Sequence, residues 1–231
     1  MTQAIQVLRR LCHRQTDVEG ELGYFGLGGW WLGAFTRTQR DHIESTYHHP
    51  STPPRARPLT TGHKPLPFRS AAGLLTAVAA CLRNRPQDRD IALRILAKAE
   101  ERARIEDNVL GLHFAYQEII RLHTKWRDHF TDALNLTFGA CHKQVTISAT
   151  AAQTLRELRP HEPLPSHLGF QQLAILLERE GSYAKAIELC KEARDQGWSG
   201  NWTWRIGCLA KKREEQDTSV ASISSSGMGE V

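Results

Sequence analysis

The sequence predicts an all-α fold of antiparallel helix hairpins, on three observations. Leu and Ala dominate the apolar part of the 231 residues while long β-branched runs are missing, which favours helix over strand. Apolar residues recur at helical spacing in one segment after another. Between those segments stand proline clusters and single glycines, which stop helices and turn the chain.

Residues 3–13 set Ala4, Ile5, Leu8, Leu11 and Cys12 on one face of an amphipathic helix. Residues 19–36 mix Tyr24, Phe25, Leu27, Trp30, Trp31, Leu32 and Phe35 with Gly26, Gly28 and Gly29. The glycines preclude one long helix, and the aromatics demand burial or a partner. Thr36 with Gln39 is a capping box, opening a helix with Ile43 and Tyr47 on one side that ends before Pro50. Six prolines in residues 49–67 remove donors and fix φ, which predicts an irregular connection and a boundary.

Ser70 can cap a helix over residues 71–82, and residues 89–103 align Ile91, Ala92, Ile95, Leu96, Ala99 and Ala103 to complete a first hairpin. A second pairs residues 109–126, with Leu112, Tyr116, Ile119, Ile120, His123 and Trp126 inward, with residues 131–142, with Leu134, Phe138 and Cys141 inward. Residues 148–158 form a short helix on Ala151, Ala152, Leu155 and Leu158, stopped by Pro160, Pro163 and Pro165. A closing hairpin begins near Ser166, and a last helix over residues 203–212 covers it. The Ser-rich residues beyond Glu214 bury too little to offset their ordering entropy, which predicts a disordered tail. The predicted organisation is N-terminal helices with an aromatic Gly-rich loop (1–48), a Pro-rich connection (49–69), a helical-hairpin domain (70–213) and the tail (214–231).

Residues 168–197 carry the most specific pattern. Phe170, Leu173, Ala174 and Leu177 form one inner stripe, Gly181 makes the turn, Ser182 can cap the next helix, and Ala186, Cys190 and Ala193 form its inner stripe, with Tyr183 near the turn and Gly197 closing the helix. This order of large and small residues resembles a tetratricopeptide repeat. Trp198 stands where that family's pattern has a proline. The strings GYFGLGGWWLGAFTRTQRDHIE, RSAAGLLTAVAACLRN, LHFAYQEIIRLHTKWRD and LGFQQLAILLEREGSYAKAIELCKEARDQGW resemble, over residues 22–212, an uncharacterised bacterial and prophage-borne family of small helical-repeat proteins. That resemblance implies the helical-repeat fold and assigns no catalytic residue.

The chemistry the sequence excludes is broad. Five widely spaced cysteines, Cys12, Cys81, Cys141, Cys190 and Cys208, include no C-x-x-C pair and predict core packing rather than disulfides. The longest uncharged apolar-rich run, residues 70–82, is too short for a bilayer span, and the charged N-terminus lacks a secretory pattern, so the predicted location is the cytoplasm. There is no P-loop, no dinucleotide fingerprint, no nucleophile elbow and no H-E-x-x-H among the eleven histidines, which disfavours an enzyme and predicts no cofactor. Buried or hydrogen-bonded packing is the expectation for His113 and His123, and solvation for Glu178 and Glu180.

The function this predicts is a noncatalytic protein–protein interaction scaffold of tetratricopeptide type, with another protein or a peptide as partner and no membrane. Trp30, Trp31, Trp198, Trp202 and Trp204 are its expected anchors, because binding energy concentrates in tryptophan. A rival is nucleic-acid binding through residues 45–87, an acid-free stretch in which Arg55, Arg57, Lys64 and Arg69 would contact phosphates. A third reading is a metal-dependent hydrolase built from Asp41, His42, Glu44 and His48.

Overall fold

The structure, a computed structural model, describes residues 18–47, 57–61 and 68–226, with side chains as far as residue 218. The predicted helix over residues 3–13, with Cys12, lies outside the described residues, as do His48 and His49. The described residues are all-α, and the one extended pairing among them is an isolated bridge between Ser166 and Ser199. The chain divides into two compact units, residues 1–106 and 107–231, a boundary that falls inside the span 70–213 read above as one domain.

In the first unit, α1 (Gly20–Tyr24), α2 (Gly28–Ala34) and α3 (Arg37–Thr46) precede α4 (Ala71–Leu82), a 3-10 turn at Pro86–Asp88 and α5 (Arg89–Ile105). Gly26, at φ 66°, breaks the aromatic stretch into two short helices that bury Leu22, Leu27, Trp31 and Phe35. The capping box forms as predicted: Gln39 N donates to Thr36 Oγ1 at 3.3 Å and Thr36 N to Gln39 Oε1 at 3.0 Å. Ser70 caps α4 by accepting from Gly73 N at 3.1 Å. The α4–α5 hairpin closes on the predicted stripe, with Ala92, Ile95, Ala99 and Ala103 fully buried.

The second unit comprises α6 (Val109–Lys125), α7 (Ala133–Thr146), α8 (Ser148–Leu158), α9 (Leu168–Arg179), α10 (Tyr183–Asp195) and α11 (Trp202–Ser226). Helices α6 and α7 pair, α9 packs on α7, α10 folds back on α9, and α11 lies along α10. The fold-back needs Gly181, at φ 71°, and α10 ends on Gly197, at φ 77°, both in the left-handed region that glycine enters without strain. Ala174, Ala186, Cys190 and Ala193 are fully buried at the α9–α10 crossing, where the sequence puts them. Ser199 N donates to Pro165 O at 3.2 Å, which ties the entry of α9 to the exit of α10.

The closing hairpin begins near Ser166 as expected, capped by His167, whose imidazole accepts from Phe170 N at 3.2 Å. Three local expectations are corrected. Ser182 makes no capping bond; its carbonyl accepts from Ala186 N instead. Leu158, the last residue of α8, is 58% exposed because the helix ends there and turns its final side chain to solvent. Helix α11 continues through Ser226 instead of giving way to a disordered tail at residue 214. Propagating a helix already nucleated on a docked first half costs little, and Thr218 Oγ1 bonds back to Glu214 O at 2.8 Å.

Candidate functional site

The predicted tryptophan anchors separate on burial. Trp31, Trp198 and Trp202 are only 2%, 2% and 4% exposed and belong to the interior, which corrects their reading as surface residues. An indole can be buried when its N–H finds an acceptor. Trp198 Nε1 donates to Gln196 Oε1 at 2.9 Å and Trp202 Nε1 to Trp198 O at 2.7 Å. Trp30 is half-buried with its ring edge-on to Phe35, and Trp204 stands 70% exposed.

A surface the sequence did not single out lies between α7, α9 and α10. Phe138 and His142 of α7, Leu173 and Leu177 of α9, and Leu189 of α10 line a groove of about 850 Å³. Its rim is charged, with Lys185, Glu188, Lys191, Glu192 and Asp195 along α10. Lys191 is bound to Glu188 at 2.7 Å and Asp195 to Arg194 at 2.9 Å. Phe138 is 39% exposed; α7 also exposes Leu134 (53%), one turn earlier on the same face, and Leu136 (42%) on a different face.

This overturns the expectation that Leu134 and Phe138 point inward. Helix α7 buries Ala133, Thr137, Ala140, Cys141 and Gln144 instead. Gln144, fully buried, fixes that rotation: Nε2 donates to His113 O at 3.1 Å and Oε1 accepts from Gly169 N at 2.8 Å. One amide thus bridges α6 and α9, and the small residues on its face let α7 approach both. The bulky side chains are left on the open side.

Behind Gln144 lies a cluster of buried rings. His113 stacks on Trp198 with ring centroids 5.3 Å apart and planes 5° apart, while His167 meets His113 at 5.0 Å and Trp198 at 4.7 Å, edge to face. Both histidines are fully buried, and neither nitrogen of His113 nor Nε2 of His167 has a hydrogen-bond partner. Burial holds the His113 pKa down at about 4; burial, with His113 as neighbour, holds His167 at about 3. Two neutral imidazoles sealed from solvent act as packing groups, the role expected for His113. Only the neighbouring Leu164, Leu168 and Phe170 hinted that His167 joins them.

In the first unit the basic segment is engaged with its own chain. Arg57 Nη2 lies 2.8 Å from Asp41 Oδ1, with both side chains about half exposed. Leu59 is fully buried, and Pro58 O and Leu59 O accept from Glu21 N and Leu22 N at 3.0 Å. Part of the Pro-rich connection is therefore docked structure. Arg69 is exposed, while Arg55 and Lys64 lie outside the described residues.

Of the residues in the metal reading, His48 lies outside the described ones, and the other three are engaged within the chain. His42 Nε2 pairs with Asp88 Oδ1 at 2.9 Å, Asp41 with Arg57, and buried Glu44 accepts from Thr60 Oγ1. Desolvation raises the Glu44 pKa, although Thr60 and Arg57 oppose it. Among the described residues no three His, Cys, Asp or Glu side chains converge on one point. Cys81, Cys141, Cys190 and Cys208 are free thiols; burial pushes Cys141 up to about 12, far from a reactive thiolate.

No family model, curated protein or solved structure matches this chain. The surface must therefore be read from its own chemistry. Its floor is apolar and its rim charged.

Proposed function

We propose that the second unit is a noncatalytic interaction module that holds a peptide or helix of another protein in the groove between α7, α9 and α10. The observation that carries this is exposed Phe138, with Leu134 one turn before it on the same helix face, at a groove floored by Leu173, Leu177 and Leu189. Contiguous exposed apolar side chains ringed by charge are the usual mark of a protein-binding surface. The all-α hairpin architecture supports the reading, since such layers present rigid grooves between neighbouring helices.

The test is affinity capture from source cells with the wild-type chain and with Phe138→Arg. A partner retained in stoichiometric amount by the wild type and lost with Phe138→Arg supports the groove. No partner, or one retained equally by both, overturns it. The nucleic-acid reading is weaker, because Arg57 already neutralises Asp41. A gel shift at about 50 mM salt that shows no complex disposes of it.

A further inference from the structure

We infer that α11 repeats the register of α9, and that its open face takes one amphipathic helix of a partner protein. This surface is separate from the groove, and the inference does not rest on it.

Trp204, Gly207 and Cys208 follow Phe170, Leu173 and Ala174 at a constant offset of 34 residues, the tetratricopeptide period. In α9 those register positions are interior: Phe170, Leu173 and Ala174 are 0%, 3% and 0% exposed, Phe170 and Ala174 in one core with Ala186, Cys190 and Ala193 of α10, Leu173 in another with Ile120, Ala140 and Cys141. In α11 the same positions are open. Trp204 is 70% exposed, Gly207 is exposed with nothing within 4 Å of where a Cβ would sit, and Cys208 is only half-buried. A hollow of about 290 Å³ also borders the Trp204 indole, lined by Gln171, Gln172, Ile175 and Asn201. The cause is that α11 docks by its other face, through Trp202, Ile206 and Leu209, and runs straight on instead of turning back as the chain does at Gly181. A large indole, a glycine and a small thiol one turn apart make a seat for a helix crossing, and among the described residues the chain does not turn back to fill it.

Charge specifies the occupant further. Lys212 is bound to Glu178 at 2.7 Å, and Arg213 lies 3.7 Å from Asp217. Lys211, exposed on the Trp204–Gly207 face, has no ion pair among the described residues. The fitting partner is an amphipathic helix with small residues at the spacing of Ala186, Cys190 and Ala193, and a carboxylate opposite Lys211.

The probe is a synthetic peptide of residues 182–198 carrying C190A and Y183E, titrated into the isotope-labelled full chain. Of the six indole N–H signals, that of Trp204 moves and saturates below about 1 mM peptide. Gly207→Leu, which fills an open helical position without threatening the fold, weakens binding at least about tenfold. Lys211→Glu favours a Y183K peptide over the Y183E one, and Phe138→Arg leaves the titration unchanged, which separates this face from the groove. The inference is overturned by an unmoved Trp204 signal or by equal affinity in Gly207→Leu. It is overturned equally if sedimentation shows the chain pairing with itself through Trp204 so that the peptide is excluded.

Discussion

Gln144 is the residue on which the second unit turns. Its amide satisfies a carbonyl of α6 and an N–H of α9 inside the core, where an unmade hydrogen bond costs most. Gln144→Leu leaves Gly169 N, a first-turn donor of α9, unpaired in the core, and urea denaturation should record a loss of about 1–3 kcal/mol. His113 and His167 set the acid response. Their folded pKa values lie below the ordinary 6.5, so the unfolded chain binds more protons in that interval. Their contribution to stability is complete above pH about 6.5, falls as the pH drops below it, and stops falling near pH 3, where the folded form protonates as well. Denaturation midpoints measured from pH 7 to pH 4 should decline, and His113→Phe should flatten part of that decline. At this scale the sequence shows Gln144 as one polar residue among several, because its two partners lie 31 and 25 residues away.

Elements were legible where the pattern was local. The α5 stripe, the capping box at Thr36 and the glycine turn at Gly181 depend on neighbours a few residues apart, and each stands where the spacing puts it. Helix α7 was misread because its large residues, Leu134 and Phe138, recur at the same helical period as its small ones. Period alone cannot choose between two faces; a small-residue face that packs closely won over a bulky one. Within the Pro-rich connection, Leu59 is buried by chain remote in sequence, which no local pattern displays. The α9–α10 crossing allows a direct prediction. Ala186→Leu overpacks a fully buried contact and should cost about 1–3 kcal/mol in chemical denaturation, whereas Ala184→Leu, at an exposed position of the same helix, should cost almost nothing. Gly197→Ala forces a Cβ into a φ of 77° and within 2.7 Å of Arg156 Nη2, a loss of about 1–2 kcal/mol.

Across the whole molecule, two compact units with their own interiors predict two resolvable unfolding steps. Leu96→Ala, in the first unit, should lower one calorimetric transition by about 2–5 kcal/mol and leave the other in place; Ala186→Leu should do the reverse. No helix among the described residues is long and apolar enough to cross a membrane. Of the candidate surface, the sequence supplied Leu173 and Leu177 as core residues and the tryptophans as anchors. The groove itself depends on how α7 is rotated, which Gln144 and its distant partners decide.

The most direct test of the interaction account is photo-crosslinking in source cells, with a photoreactive residue at Phe138 on the groove and, as control, at Thr150 on the exposed side of α8. The account predicts one dominant protein adduct from position 138 and none from position 150. No adduct from the groove, or the same adducts from both positions, would contradict it.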